Sequence, residues 1–166
     1  MALLELQNLK VYYKTKHGQA RAVDDVCFTV ETGGTLGLVG ESGCGKTTIA
    51  KAIMRLLPKN GEIAGGKLLF KDRDLARLSP DEIRRYRWEE IAMISQSAMN
   101  SLNPVVRVGA QLIEAIRAHR KVSRSKAESR LAEVFDLVGI DLERAKDFPH
   151  QFSGGMKQRA VIAMAL

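Results

Sequence analysis

The chain has 166 residues, of which 45% are hydrophobic and 27% are charged, and its formal net charge is +7. This composition is ordinary for one folded domain and argues against intrinsic disorder. No apolar run approaches the roughly 20 residues of a membrane-spanning helix, and the first residues show no secretory signal. The two cysteines, Cys27 and Cys44, lie in unlike contexts, which favours free thiols in a reducing compartment.

The positive charge is concentrated in residues 117–130 and at Arg84, Arg85 and Arg87. A basic surface of this kind can serve nucleic acid, an anionic membrane face, or solubility alone. No aromatic side chains are interleaved with the basic residues of 117–130, so a solvated or membrane-adjacent surface is favoured and no nucleic-acid partner is expected.

The first forty residues predict an antiparallel β region followed by a short buried strand. Residues 3–11 and 22–30 have strand character and flank a polar turn at 14–19. The apolar segment 35–39 is too short and too closely bounded by glycine to be a helix. We therefore expect it to be a third strand.

Helices are predicted at several later positions, with two further strands among them. A helix over 47–57 is expected to stop before Pro58, and a strand is expected at 67–70. Ser79 has the features of an N-cap with a capping box. After a buried strand at 91–95, the pattern predicts helices over Val108–His119 and 125–138, the second ending at Gly139. Ser153 is expected to cap a last helix.

A glycine-rich loop stands between the expected strand 35–39 and the helix that follows it. Its sequence, Gly40-Glu41-Ser42-Gly43-Cys44-Gly45-Lys46-Thr47, fits the pattern G-x-x-x-x-G-K-[ST]. Glycines let the backbone approach phosphates closely, and successive amides at a helix start form an anion site. Lys46 can neutralise β- and γ-phosphates, and the Thr47 hydroxyl can bind Mg²⁺.

The loop therefore predicts a site for ATP with Mg²⁺. The expected nucleotide-binding residues are Gly40, Ser42, Gly43, Cys44, Gly45, Lys46, Thr47 and Thr48. Cys44 occupies a spacer position, but a helix N-terminus lowers the pKa of a thiol. We therefore expect Cys44 to react faster than Cys27 and Mg-ATP to protect it.

A second glycine motif, Phe152-Ser153-Gly154-Gly155-Met156-Lys157-Gln158-Arg159, lies near the C-terminus. Taken alone, Ser-Gly-Gly before a helix is a common cap. It is also a helix start with bare amides and a serine, which suits an anion.

Together the two motifs resemble the nucleotide-binding domains of ABC transporters, whose signature is L-S-G-G-Q. Phe152 stands in place of the leucine and Met156 in place of the glutamine, while Ser153, Gly154 and Gly155 are kept. In that family the signature helix caps the γ-phosphate of ATP held by the other subunit of a head-to-tail dimer. The resemblance therefore implies that one chain supplies half of each active site.

Two further residues fit the family. The resemblance implies that Gln96 is the Q-loop glutamine, which contacts Mg²⁺ and the attacking water and couples the site to the membrane subunit. It also implies that Tyr13 stacks on adenine. Tyr12 competes for that role, because strand alternation points only one of the two inward.

The segments 96–104 and 148–156 resemble the oligopeptide/dipeptide and nickel importer group. This resemblance implies an ABC-type ATPase at the cytoplasmic face of the cell membrane. The implied partners are a second ATPase subunit (identical or not), integral permease subunits and an extracytoplasmic substrate-binding protein. Peptide, nickel and oligosaccharide substrates stay open. A soluble ABC ATPase acting on nucleic acid and a non-catalytic nucleotide-binding fragment are the alternatives.

The implied fold is α/β: a P-loop NTPase (RecA-like) core with an N-terminal antiparallel β region and an α-helical subdomain. The expected division is a core over 1–98 with the phosphate loop and Gln96, a helical subdomain over 99–152, and the signature with the start of its helix over 153–166.

The family's catalytic carboxylate and switch histidine have no candidate here. No apolar strand ending in Asp-Glu follows the signature, and His17, His119 and His150 precede it, so Lys46 and Gln96 are the catalytic candidates. We expect an incomplete core, in which segments 35–39 and 91–95 lack neighbouring strands and expose apolar faces. These 166 residues should bind nucleotide but hydrolyse it very slowly, and should aggregate or stay partly molten in isolation.

Overall fold

The computed structural model describes residues 1–94 and 101–166 and divides the chain into two compact units, Met1–Arg87 and Trp88–Leu166. This division lies upstream of the expected boundary at 98, which remains a prediction because residues 95–100 are outside the described part. Among the described residues, no helix has the length and apolar character to cross a bilayer.

The first unit is built on a four-stranded antiparallel sheet. Strands β1 (Ala2–Thr15) and β2 (Gly18–Glu31) form a long hairpin with a two-residue turn, and β3 (Gly61–Phe70) pairs with the other edge of β1. A short β4 (Arg73–Asp74) completes the order β2-β1-β3-β4. The predicted strands 3–11, 22–30 and 67–70 are confirmed, each as part of a longer strand.

A bulge in the hairpin changes which side chains of β1 face inward. Asn8 and Asp25 have φ values of 51° and 61°, and the Asn8 side-chain amide donates to the Asp25 carboxylate over 2.9 Å. Leu6 is buried before the bulge, whereas Leu9 and Val11 are buried after it. The alternation of the strand therefore shifts by one residue at Asn8. Beyond the bulge, odd-numbered residues face the core.

The helix after the glycine-rich loop, α1 (Lys46–Ile53), is shorter than the predicted 47–57. Arg55 follows it in a left-handed conformation with φ of 52°, and its amide bonds to the Ala52 carbonyl. The Leu56 amide bonds to Lys51, which completes a Schellman motif. The predicted end was wrong because this cap uses arginine rather than glycine.

Two predicted strands are not formed in the described residues. Residues 35–39 have no regular structure and are all exposed, with Val39 97% accessible. Residues 92–94 have no strand either, while Ile91 makes only an isolated bridge, and Ser95 lies outside the described part. A strand forms only where a neighbour accepts its hydrogen bonds, and no described segment pairs with these two. Their exposed leucines, valine, methionine and isoleucine agree with the expectation of open apolar faces.

Helix α2 (Pro80–Tyr86) belongs to the first unit and begins at the predicted capping box. The Ser79 hydroxyl accepts from the Glu82 amide over 3.3 Å, and the Glu82 carboxylate accepts from the Ser79 amide over 2.9 Å. The hydrogen bonds that the Ser79 amide and the Ser79 hydroxyl donate to the Glu82 carboxylate lower the pKa of Glu82.

The second unit contains helices α3 (Val108–His119), α4 (Arg124–Leu137) and α5 (Gly154–Ala165). All three predicted helices are confirmed to within one residue of their expected starts. Gly139 ends α4 with φ of 64°, and the Ile140 amide bonds to Phe135, as a Schellman cap requires. The core of this unit consists of Leu102, Val108, Leu112, Leu131, Val134, Phe135, Ile140, Phe152, Ala160 and Ala163.

Replacing Phe135 with alanine should lower the free energy of unfolding of the helical unit by about 3–5 kcal/mol, because its ring is fully buried in this core. Denaturation followed by the fluorescence of Trp88, the single tryptophan, reports on this unit. Leu137→Ala is the matched control, since Leu137 lies on the same helix and is 68% exposed. Equal losses in the two variants would contradict the prediction.

Candidate nucleotide-binding site

The glycine-rich loop is held in a shape that only glycine adopts easily. Gly43 and Gly45 have φ values of 86° and 96°, in the left-handed region. Gly45 is also buried, and a Cβ there would lie 2.5 Å from the Ala22 carbonyl oxygen of β2. The loop therefore rests directly on the hairpin backbone, and α1 starts from a fixed position.

The side chain of Lys46 folds back over this loop. Its ammonium donates to the carbonyl oxygens of Gly40 and Glu41 over 2.8 and 2.6 Å and to Cys44 Sγ over 3.3 Å. The three N–H donors of the ammonium thus all point at the loop. Phosphate oxygens, which carry formal negative charge, are stronger acceptors than these carbonyls.

The N-terminus of α1 fits an anion. Gly45 provides no side-chain cap, and the first turn contains no acidic residue that would oppose a negative ligand. The backbone amides of Lys46, Thr47 and Thr48 therefore lie at the positive end of the helix dipole, where they can donate to a phosphate. These features support ATP as the ligand of the loop.

Thr47 is exposed at the second position of α1, where its hydroxyl suits a hard cation such as Mg²⁺. No group of three or more His, Cys, Asp or Glu side chains that could hold a metal occurs in the described parts of the chain.

The structure distinguishes the two candidate tyrosines. The Tyr13 hydroxyl donates to Thr48 Oγ1 over 3.3 Å, beside the first turn of α1. Tyr12 lies on the other face of β1, where its hydroxyl donates to the Asp24 carboxylate over 2.8 Å. This hydrogen bond raises the pKa of Tyr12 and lowers that of Asp24. The contact with Thr48 favours Tyr13 for the adenine position, which stays a prediction.

The second glycine motif lies in the helical unit at the start of α5. Phe152 is 4% exposed within the core, and Met156 packs against the same cluster. The Ser153 hydroxyl accepts from the Met156 amide over 3.3 Å, as predicted for the cap. Among the described residues, a Cβ added to Gly155 would meet nothing within 4 Å. Packing of that part of the chain therefore does not require glycine at 155.

The remaining predicted site residue, Gln96, lies outside the described residues.

The sequence analysis did not predict the polar side chains that form hydrogen bonds with the backbone of nearby segments. Gln111 on α3 accepts from the Asn103 amide over 2.8 Å and donates to the Asn103 and Val106 carbonyls over 3.0 and 2.8 Å. The residues in these contacts are too far apart in the sequence for a local pattern to predict them.

A family model described as ABC transporter matches residues 23–166. The chain belongs to the ABC transporter family. The oligopeptide transport ATP-binding protein OppD of Bacillus subtilis is 46% identical over 99% of this chain and 47% of its own length. The dipeptide transport ATP-binding protein DppD of the same organism is 47% identical over 99% of this chain and 50% of its length. OppD of Escherichia coli is 44% identical over 99% and 49%.

The chain spans about half the length of the curated relatives it matches. Among solved structures, a dimeric structure of MJ0796, a bacterial ABC transporter cassette, superposes with a TM-score of 0.85 at 24% identity over 98% of this chain and 68% of that chain. A post-hydrolysis structure of the same cassette, bound to ADP and Pi, gives the same TM-score. The expected α/β fold of the P-loop class is confirmed.

Alkylation should test the geometry of the phosphate loop. The hydrogen bond from the Lys46 ammonium, with its charge, lowers the pKa of the Cys44 thiol, so the reactive thiolate forms at lower pH. We expect Lys46→Ala to shift the pH at which the Cys44 rate levels off to a higher value. Mass spectrometry of the modified peptides, with and without Mg-ATP, measures the rates of Cys44 and Cys27.

Mg-ATP should slow the modification of Cys44 and leave that of Cys27 unchanged. Cys27 is an internal control because it is also exposed and lies on the hairpin, not in the phosphate loop. Equal rates for Cys44 with and without nucleotide would contradict the assignment.

Proposed function

We propose that this chain is the nucleotide-binding part of the ATP-hydrolysing subunit of an ABC importer for peptides. The observation that carries the proposal is the uncapped start of α1 with the Lys46 ammonium folded over the loop. The names of the relatives, which are oligopeptide and dipeptide transport ATP-binding proteins, support the peptide assignment.

In the proposed mechanism the loop binds the triphosphate through backbone amides and one side chain. Lys46 exchanges the carbonyl oxygens of Gly40 and Glu41 for β- and γ-phosphate oxygens, and the amides at the start of α1 take the remaining oxygens. Gly40, Ser42, Gly43, Cys44 and Gly45 shape the cradle. Tyr13 orients the adenine.

Thr47 and Gln96 would hold Mg²⁺, which when bound neutralises charge on the β- and γ-phosphates. Gln96 would also orient the attacking water. Both roles lower the barrier by positioning and electrostatics rather than by covalent chemistry with the protein.

The signature motif would act on the nucleotide of a second ATPase subunit. Ser153 and the amides of Gly154 and Gly155 are exposed at the start of α5, where a γ-phosphate could approach them. Two chains arranged head to tail would then close over two nucleotides.

The membrane partner would contact a groove of about 670 Å³ in the helical unit. Its apolar floor includes Ala110, Ile113 and Leu131. Among the described residues that line it, Arg107, Arg117, Arg124 and Lys146 are basic and Glu114 is acidic. This charge pattern fits an acidic amphipathic segment on the cytoplasmic side of a permease. A peripheral position at the membrane, with a substrate-binding protein outside the cell, follows from this assignment.

Replacing Lys46 with alanine should weaken Mg-ATP binding by about 10- to 100-fold, because hydrogen bonds to charged groups are worth about 1.5–3 kcal/mol. Titration with a fluorescent ATP analogue measures the change. Lys51→Ala is the control. It removes the same charge, and Lys51 is exposed at the other end of the same helix. An unchanged Mg-ATP affinity in Lys46→Ala would contradict the ATP-binding assignment.

Reversing one charge beside the groove should weaken association with the membrane subunits. Arg117→Glu is expected to reduce co-purification of the permease by about ten-fold, since close charge pairs across interfaces contribute at least about 1.5 kcal/mol, and to leave Mg-ATP affinity unchanged. Lys126→Glu makes the same change at an exposed position of α4 that does not line the groove. Equal losses in both variants would indicate a general charge effect and contradict the groove assignment.

A further inference from the structure

A cluster of contacts around Arg144 holds the turn that leads into the signature motif. Its guanidinium forms an ion pair with Asp147 over 3.0 Å and donates to the Gln151 carbonyl over 2.9 Å. The same group lies 5.7 Å from the centre of the Phe152 ring. Arg144 therefore contacts both ends of the segment 147–152, immediately before Ser153.

The far side of this turn is fixed to the start of α3. The Val108 amide donates to the Asp147 carbonyl over 2.9 Å. Gly109 packs so closely that an added Cβ would lie 2.7 Å from the Ala145 Cβ. The start of α3 is thus in direct contact with Asp147, which is also the ion-pair partner of Arg144.

The turn also has its own internal hydrogen bonds. The Gln151 side chain accepts from the Phe148 amide over 2.8 Å, and the Gln151 amide donates to the Phe148 carbonyl over 2.9 Å. These bonds lie within the turn, so the direction of the turn depends on its contacts with the rest of the helical unit. Next to Ser153, those contacts come from Arg144.

We propose that Arg144 is a positioning residue for the signature motif, setting the direction in which Ser153, Gly154 and Gly155 present their donors. The inference rests on the proposed role of that motif at the nucleotide of a second subunit. Arg144 does not touch the nucleotide in this scheme; it acts through the backbone of residues 147–152.

The chemistry of the side chain separates this role from simple stabilisation. The Arg144 side chain is 40% exposed, and exposed ion pairs contribute little to stability. A planar guanidinium can bond to two separate acceptors while stacking on a ring, whereas a lysine ammonium cannot keep all three contacts. Arg144→Lys therefore keeps the charge and the fold but releases the turn.

The experiment uses the full-length protein and compares Arg144→Lys, Arg144→Gln, Ser153→Ala and Lys126→Met. For each we would measure kcat, the Mg-ATP affinity of the separate subunit, ATP-driven dimerisation and the melting temperature. We expect Arg144→Lys to lower kcat and dimerisation by about ten-fold or more, as small misplacements of positioned groups do. The Mg-ATP affinity of the separate subunit should stay within about two-fold, because Arg144 is not part of the phosphate loop and the substitution leaves the contacts of that loop intact.

Lys126→Met removes one charge at an exposed site of the same unit and should behave like the wild type. Adding Arg144→Lys to Ser153→Ala should cause little further loss, because both changes act on one group. If Ser153→Ala lowers kcat but Arg144→Lys matches Lys126→Met, the positioning role is wrong. The positioning role would also be wrong if kcat fell only in those variants whose melting temperature fell as well. If Ser153→Ala itself has no effect, the proposed function of the motif fails instead.

Discussion

The geometry of the phosphate loop depends on the close approach of Gly45 to the backbone of β2. Because any Cβ at this position would collide with the Ala22 carbonyl, the loop can rest on the hairpin only with glycine there. This contact fixes where α1 begins and hence where its first amides point. It also brings Thr48 within reach of Tyr13. The proposed phosphate site and the proposed adenine position in the first unit thus share one steric constraint.

Features governed by local hydrogen bonds could be predicted from the sequence. The caps at Ser79, Ser153 and Gly139 all form as expected, because each uses donors and acceptors within a few residues. The hairpin follows from alternation around a polar turn. The loop-to-helix transition at Gly45 follows from its glycines and Lys46. In each case the residues that cause the structure are adjacent in the chain.

Features governed by distant partners could not be predicted in the same way. Residues 35–39 have the composition of a buried strand, yet no described segment pairs with them and they are exposed. The end of α1 was misplaced because Arg55, not glycine, takes the left-handed position, while its guanidinium bonds to the Leu75 and Ala76 carbonyls. The choice between Tyr12 and Tyr13 depended on the bulge at Asn8, which no simple alternation rule includes.

The contacts of the Lys46 ammonium with Gly40 and Glu41 have a consequence for ligand selectivity. A ligand must outcompete peptide oxygens that already solvate the lysine, so weakly charged anions gain little by entering the loop. If the loop holds a nucleotide as proposed, it would therefore favour ligands with several phosphate charges over weakly charged anions, before any catalytic group is involved.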